Sequence, residues 1–341
     1  MSTPDPPPPG GSDLSGTAVR PAGSRRRGPP FEISVVTCAY NEAHNVENML
    51  RAVLSETGGS FRVREVVVVA SGCTDGTDNI VLKVSADDPR VVALIQPKRQ
   101  GKAAALQVGV HRASGDIILV EGADTLPARG SYEEVARGFL DPSVDVVCFH
   151  PIPVPGVESF TGTLGRMLWE VHHRVSLAVP KVGEAYAVRS DSADRLLGSE
   201  DDDVRLGGLV RDQSVRSVYA PNAVVYNQVP STFREYVLQR IRINGLIYRV
   251  RSQEGLYPPS WDMAVVLTAF AGYLRLHPRD LLPLTTLVAL EVLTRVWAGI
   301  SSRAWGVPDP NWEQLRTTKG HIDPPKPTTE GSSGPGQQGS S

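Results

Sequence analysis

Asp116-Ile117-Ile118-Leu119-Val120-Glu121-Gly122-Ala123-Asp124-Thr125-Leu126-Pro127 is the stretch that decides how the rest of the chain is read. Ile117 to Val120 is a short apolar run suited to a buried strand, and it leads straight into acidic residues and a proline. In open α/β sheets, ligands bind beyond the carboxyl ends of the strands. A carboxylate placed there, such as Asp124, is a hard oxygen donor of the kind that holds Mg2+ or Mn2+ against a diphosphate. The same residues also read as a strand ending in an ordinary acidic turn, so the flanking segments carry the decision.

Upstream, Glu32 to Cys38 is a β-branched apolar run that suits a buried parallel strand. A helix follows, with apolar positions at Val46, Met49, Leu50, Val53 and Leu54. Glu65 to Ala70 is a second strand. It breaks into Ser71-Gly72-Cys73-Thr74-Asp75-Gly76-Thr77, where Thr74 or Asp75 can cap a helix running through Val84. Val91 to Ile95 is a third strand, and Gln100-Gly101-Lys102 opens an Ala-rich helix reaching about Ala113. The strand into Asp124 is the fourth, and Asp145 to Phe149 is a fifth. Strands alternating with helices through short loops predict an α/β fold, a mostly parallel sheet with helices on both faces. Two familiar nucleotide motifs are absent. No Gly-x-Gly-x-x-Gly follows the first strand, and Gly101-Lys102 lacks both the upstream Gly and the following Ser or Thr of a P-loop.

Composition narrows the function further. The chain has 341 residues, and 35 Lys+Arg stand against 37 Asp+Glu, which argues against a general nucleic-acid binder. Cys38, Cys73 and Cys148 are odd in number and lack metal-ligand spacing, so a reducing compartment is the simpler expectation. The N-terminus has no apolar core of a signal peptide. Residues 1–30 are rich in Pro, Gly, Ser and Arg and are expected to be disordered, as is the tail of residues 317–341. Arg25-Arg26-Arg27 reads either as a solvated charge run or as a contact with an anionic membrane.

Val35 to Glu42, Ser71 to Thr77, Gln100 to Lys102, Gly115-Asp116 and Ala123 to Pro127 occur in an order and spacing that resembles family 2 glycosyltransferases of the GT-A fold. The resemblance covers about residues 32–250. It implies a non-processive bacterial type of enzyme with a nucleotide-sugar donor, a UDP-sugar or similar. Its donor-binding residues would be Thr37, Ala39, Tyr40, Asn41, Glu42, Ser71, Gly72, Lys102, Ala123 and Asp124. Tyr40 also reads as core and Asn41 as a helix cap. Lys102 stands at a helix start, where free N–H groups favour phosphate, and it also reads as a solvated lysine. The chain departs from the family in two places. Ser71 stands where a paired Asp is usual, and Gly122 takes the first position of the metal-binding Asp-x-Asp. Glu121 does not replace that Asp, because side chains alternate along a strand. Asp124 is therefore the expected metal residue, for Mg2+ or Mn2+, with few protein partners.

The second half is read through the same resemblance. Gly183-Glu184-Ala185-Tyr186-Ala187-Val188-Arg189 resembles the family's Gly…Arg segment beside the acceptor. The family's Glu-Asp pair falls on Asp202 and Asp203, which makes Asp203 the expected base of an inverting transfer, with Asp202 in reserve. An acidic loop capping a helix is the other reading of these residues. Gln239, Arg240 and Arg242 resemble the Gln-Arg-x-Arg segment of polysaccharide synthases and would meet the leaving diphosphate or form a lid over it. Ile243 replaces the Trp of those synthases, which favours a single transfer. His172 and His173 lie on a helix from Leu164 to Leu177 and face different sides of it, so packing is the favoured reading.

Met263–Leu274 and Leu281–Leu290 carry no charge, but each falls short of a membrane span, and extending the second admits Glu291 and Arg295. The domains expected are a nucleotide-sugar half at 31–130, an acceptor half at 131–255 and an apolar helical segment at 256–316. That segment would lie on a membrane surface, pack on the catalytic domain or form a homodimer. The acceptor expected is lipid-linked or a small molecule such as a natural-product scaffold, and the location the cytoplasm or the cytoplasmic membrane face. An Arg/Ala/Val-heavy composition with Pro-rich flanks suggests a high-GC bacterial genome. A nucleotide-sugar-binding scaffold without turnover, or a nucleotidyl transferase, is the rival class.

Overall fold

A computed structural model of the chain describes residues 28–154, 159–197, 202–305 and residue 322. The strands are β1 (Phe31–Ala39), β2 (Phe61–Ser71), β3 (Val91–Gln96), β4 (Ile117–Glu121), β5 (Thr125–Pro127), β6 (Val146–Pro153), β7 (Ala185–Arg189) and β8 (Ser217–Asn227). Helices α1 (Val46–Ser55), α2 (Thr77–Asp87), α3 (Lys102–Arg112) and α4 (Ser131–Gly138) connect the first six strands. After them come α5 (Phe160–Ala178), α6 (Ser190–Leu196), α7 (Asp202–Arg211), α8 (Phe233–Glu254), α9 (Met263–Leu276) and α10 (Leu281–Trp305).

The strands form one sheet in the order β3-β2-β1-β4-β7-β6-β8-β5. β3, β2, β1 and β4 are parallel neighbours, β6 and β8 pair in parallel, and β7 and β5 run against their neighbours. The parallel half follows from helical crossovers of a dozen or so residues, which is what a parallel connection requires. Alternation along β1 and β4 then divides the core. Ile33, Val35, Ile117 and Leu119 pack under α1 and α4, whereas Val36, Ile118 and Val120 pack under α3, α6 and α7. Val46, Met49, Leu50 and Val53 of α1 are all buried, as their spacing predicts.

From β5 onward the sequence reading needs correction. β5, β7 and β8 were not expected as strands; β5 spans three residues and β8 contains Pro221-Asn222, so neither shows a run of alternation. α9 and α10 extend past the expected Leu274 and Leu290. α10 packs on α5 and α8 through Leu284, Leu287, Glu291, Thr294 and Ala298, a three-four spacing along one helical stripe. Packing on the rest of the chain is therefore part of what the apolar segment does.

The N-terminal tail to residue 27 and most of residues 306–341 fall outside the described residues, as do Ser199, Glu200 and Asp201. Ile322 is described, and it departs from the expected disordered tail. It is 2% exposed, its N–H donates to Asn45 Oδ1 at 3.2 Å, and its carbonyl accepts from Asn48 Nδ2 at 2.8 Å.

Candidate active site

The loops after β1 and β2 are built as one unit. Asn41 takes a left-handed backbone, φ 54°, and its Oδ1 accepts from the Thr74 N–H at 2.8 Å. Asp75 accepts from the N–H groups of Ala43 and Thr77, and Thr77 Oγ1 accepts from the Glu42 N–H at 2.8 Å. Asn41 is thus a tie between loops rather than a helix cap; α1 begins behind Asn45. Gly72 is required twice over, by its φ of +65° and because a Cβ there would lie 2.4 Å from the Arg99 nitrogen. Ser71 Oγ receives the Gln100 N–H at 3.3 Å and so pins the next loop. That loop holds the Arg99 guanidinium 4.0 Å from the centre of the Tyr40 ring. Arg99 is a residue the sequence reading missed, because a lone Arg in a loop carries no pattern.

Of the expected donor residues, Thr37 is 0% exposed and Ala39 and Glu42 are also buried, Ala39 within the core under α1. Tyr40, Asn41, Ser71 and Gly72 remain at the strand ends.

Asp124 sits in the turn between β4 and β5, beside Ala123, which is buried. Burial holds its proton more tightly than usual, and Lys102 and Arg242 act in the opposite direction. Lys102 comes from the start of α3, whose N-terminus has no side-chain cap and so leaves N–H groups for an anion. Arg242 comes from α8, and burial lowers its pKa against the pull of Asp203, Glu184 and Asp124. Asp203 lies in the first turn of α7, where its Oδ1 accepts from the Val204 N–H at 3.0 Å. It also lies within electrostatic reach of Lys181, Glu184 and Arg242. Asp124, Lys102, Arg242 and Asp203 therefore converge at one rim of the sheet although they span 140 positions of sequence, from 102 to 242, and no two stand closer than 22, from 102 to 124. Lys181 and Glu184 join them and were not anticipated as site residues. Asp202 begins α7, and its side chain lies outside the described residues.

Arg240 does not belong to this group. It is 7% exposed and forks onto Glu291 of α10, with Nε to Oε1 at 2.5 Å and Nη2 to Oε2 at 2.8 Å. The diphosphate role expected for it is corrected: its donors already face a buried carboxylate. Gln239, beside it, is half-buried on the same helix. Arg189 is likewise structural. β7 runs against β4, so Arg189 pairs with Ile117 at the far rim and donates to the carbonyls of Val144 and Phe139. Only the Gly183-Glu184 end of that segment reaches the cleft. His172 packs edge-on to Trp169, while His173 stacks on His150 at 4.2 Å and meets Tyr219 Oη at 2.7 Å, so the two do face different surroundings.

Glu121 turns the other way from the cleft, as strand alternation predicts. It accepts from Tyr132 Oη at 2.5 Å and from Thr125 Oγ1 at 3.2 Å. Burial pushes its carboxyl up from 4.5 to about 7. Between those values the folded protein keeps a proton that the unfolded chain has lost, so stability falls as pH rises through this window. The full loss is on the order of 3 kcal/mol. Glu121→Gln is expected to gain about that much relative to the parent between pH 5 and pH 8 in urea unfolding. Parallel pH curves for the two proteins would sink the assignment.

Among the described residues no group of three or more His, Cys, Asp or Glu side chains is placed to hold a metal by itself. Residues 34–185 match a family model described as glycosyl transferase family 2. The chain is 34% identical over 118 residues to glycosyltransferase AglE of Haloferax volcanii, 35% of this chain and 38% of that protein. It is 35% identical over 98 residues to dolichyl-phosphate beta-glucosyltransferase ALG5A of Trichomonas vaginalis, 27% of this chain and 30% of that one. It thus spans well under two thirds of the curated relatives it matches. In fold it is similar to mannosyltransferase PcManGT of Pyrobaculum calidifontis, solved with GDP-Man and Mn2+. The TM-score is 0.53 at 24% identity, over 86% of this chain and 91% of that one.

Proposed function

We propose that this chain is a family 2 glycosyltransferase, on the match of residues 34–185 to that family's model, and that it moves a sugar from a nucleoside-diphosphate sugar to a lipid-linked acceptor. The observation that carries this reading is the meeting of Asp124, Lys102, Arg242 and Asp203 at the carboxyl rim of the sheet. Tyr40, under the Arg99 guanidinium, offers a flat face beside which a base can lie, and Asn41, Ser71 and Gly72 shape the loops around it. The open N-terminus of α3, Lys102 and Arg242 provide donors and positive charge for the two phosphates. For a lipid-linked acceptor that offers a hydroxyl, Asp203 accepts its proton as the glycosidic bond forms and the bond to the nucleoside diphosphate breaks, with inversion at the anomeric carbon.

The residues fit a divalent cation. Asp124 is a hard oxygen donor held half-buried, and its Oδ1 lies against Gly122, where an added Cβ would come to 2.9 Å from it. A cation held there would neutralise charge on the departing diphosphate. The Mn2+ and GDP-mannose of the Pyrobaculum protein make Mn2+, and both uridine and guanosine donors, the first ligands to test.

The acceptor class is supported by α10, which is built inside out. Glu291 and Thr294 face the protein, while Val292, Leu293, Val296, Trp297 and Ile300 face outward, Leu293 at 64% and Trp297 at 53% exposure. A helix that hides its polar groups and shows its apolar ones suits a lipid surface rather than water. Exposed Arg275 and Arg279 at the tip of the α9–α10 hairpin suit anionic headgroups. The dolichyl-phosphate relative supports the same acceptor class.

The test uses the full chain, Mn2+, a panel of UDP- and GDP-sugars and, in liposomes, a lipid-linked sugar that offers a free hydroxyl. Nucleoside diphosphate and a glycosylated lipid are expected. Asp203→Asn should keep donor affinity within about twofold and lose at least about a hundredfold in turnover. Retained turnover would remove Asp203 as the base, and no release from any donor would leave a binding protein. In flotation, the parent should rise with anionic liposomes and the Leu293→Glu, Trp297→Glu double variant should not; a parent that stays in solution with every lipid mixture removes the membrane face.

A further inference from the structure

We propose that Glu184 supplies, from the neighbouring strand, the carboxylate that Gly122 lacks, so that Asp124 and Glu184 together face the cation and the donor diphosphate. This rests on the transferase reading above and adds to it a second ligand.

The placement follows from strand register. β4 and β7 are antiparallel, with Ile117 opposite Arg189, Leu119 opposite Ala187 and Glu121 opposite Ala185. One step beyond the last pair sets Gly122 opposite Glu184. Directly opposed residues of an antiparallel pair project to the same face, with Cβ atoms about 5 Å apart. Alternation identifies that face independently. Ile118 and Val120 on β4, and Tyr186 and Val188 on β7, lie in the core layer under α3 and α7. Gly122 and Glu184 continue the same two series, and Lys102 opens α3 and Asp203 lies in the first turn of α7 on that side. A Cβ on Gly122 would point at Asp124 Oδ1, so the side chain opposite Gly122 is directed to the carboxylate of Asp124.

Glu184 also behaves as a group without a structural task. It makes no hydrogen bond and no ion pair with any described residue, whereas other inward-facing acids are bonded: Glu65 to Ser34 and Ser114, Glu121 to Tyr132, Glu291 to Arg240. Lys102 and Lys181 both act on it through their charge, and Lys181 gives its Nζ to the Val182 carbonyl at 3.3 Å. Burial first and Asp124 second raise the pKa of Glu184, which places the two carboxyls within reach of each other. Two hard oxygen donors so placed are what a small divalent cation takes from a protein when substrate phosphates complete its shell.

The experiment follows Mn2+ binding by loss of the EPR signal of free Mn2+, in the full chain, with UDP or GDP present. Glu184→Gln is expected to weaken Mn2+ at least about tenfold, and Asp124→Asn more. The double variant Gly122→Asp, Glu184→Gln should regain most of the loss, since the atom a new Cβ would crowd is Oδ1, the far end of the Asp124 side chain and not backbone. Gly122→Asp alone should change affinity by less than about threefold, because the position is already served from β7. Unchanged binding in Glu184→Gln, with binding lost in Asp124→Asn, overturns the role of Glu184 and leaves the transferase reading standing. A tenfold gain from Gly122→Asp alone also overturns it, and this arm does not depend on how well Glu184→Gln folds. No loss in Asp124→Asn would remove the metal part of the transferase reading itself, and Glu184 with it.

Discussion

Asp124→Asn is expected to lower sugar transfer by at least about a thousandfold, about 4 kcal/mol of barrier, with little change in thermal stability. The change is isosteric, so packing in the turn between β4 and β5 is preserved. What it removes is a negative charge set opposite Lys102 and Arg242 at the rim where a diphosphate would leave. Asn keeps one oxygen but not the charge, and a neutral amide holds a divalent cation poorly beside a strongly hydrated alternative in water. The two costs of burial argue for the same sign on stability. Burial raises the Asp124 pKa, so the ionised form is disfavoured by the fold, and neutralising it relieves the folded state. Lower activity in a protein that is no less stable is the signature to measure, with turnover against Mn2+ concentration and thermal unfolding on the same samples. Turnover within tenfold of the parent at saturating Mn2+ would remove Asp124 from the reaction.

The second large effect lies away from the cleft. Arg240→Met or Glu291→Leu alone should each cost about 3–5 kcal/mol, because each leaves its partner charged and buried. Glu291→Leu should be the worse of the two. Arg295 Nη2 lies 3.9 Å from Glu291 Oε2, so losing Glu291 takes the carboxylate from two guanidinium groups, though Arg295 keeps the Ser260 carbonyl at 3.0 Å, whereas losing Arg240 leaves Glu291 with Arg295. Changing both residues together should recover most of the loss, since the same volume is then filled by apolar side chains. A domain's net stability is about 5–15 kcal/mol, so either single change threatens the packing of α10 on α8. Urea unfolding of the four proteins gives the coupling directly. A double variant that folds but has lost donor turnover would restore Arg240 to the active site and undo the correction made above.

Legibility differed between the two halves of the chain for a physical reason. In the parallel half each strand is buried on both faces, so β1, β2, β3 and β4 appear as apolar runs, and the amphipathic stripe of α1 is plain. The site residues of that half stand in loops at strand ends, where Tyr40, Ser71, Lys102 and Asp124 are spaced by the same alternation. In the second half β5 is three residues long and β8 carries an irregular register against β6, so neither shows a period. Glu121 shows how far local rules reach: alternation alone turned it away from the cleft, and it does face Tyr132.

By itself the sequence determined the α/β alternation, the rim at which Asp124 stands and the absence of a carboxylate at Gly122, because these depend on periods of two and 3.6 residues that local chemistry enforces. Only the tertiary structure decided which charges serve chemistry and which serve packing. Arg240 and Arg242 are two positions apart on one helix, yet one is locked to Glu291 and the other turns to Asp124 and Asp203. Glu184 became visible only when β7 was laid against β4, since the pairing of strands 64 residues apart, from 121 to 185, is set by the closure of a sheet and leaves no trace in either strand alone.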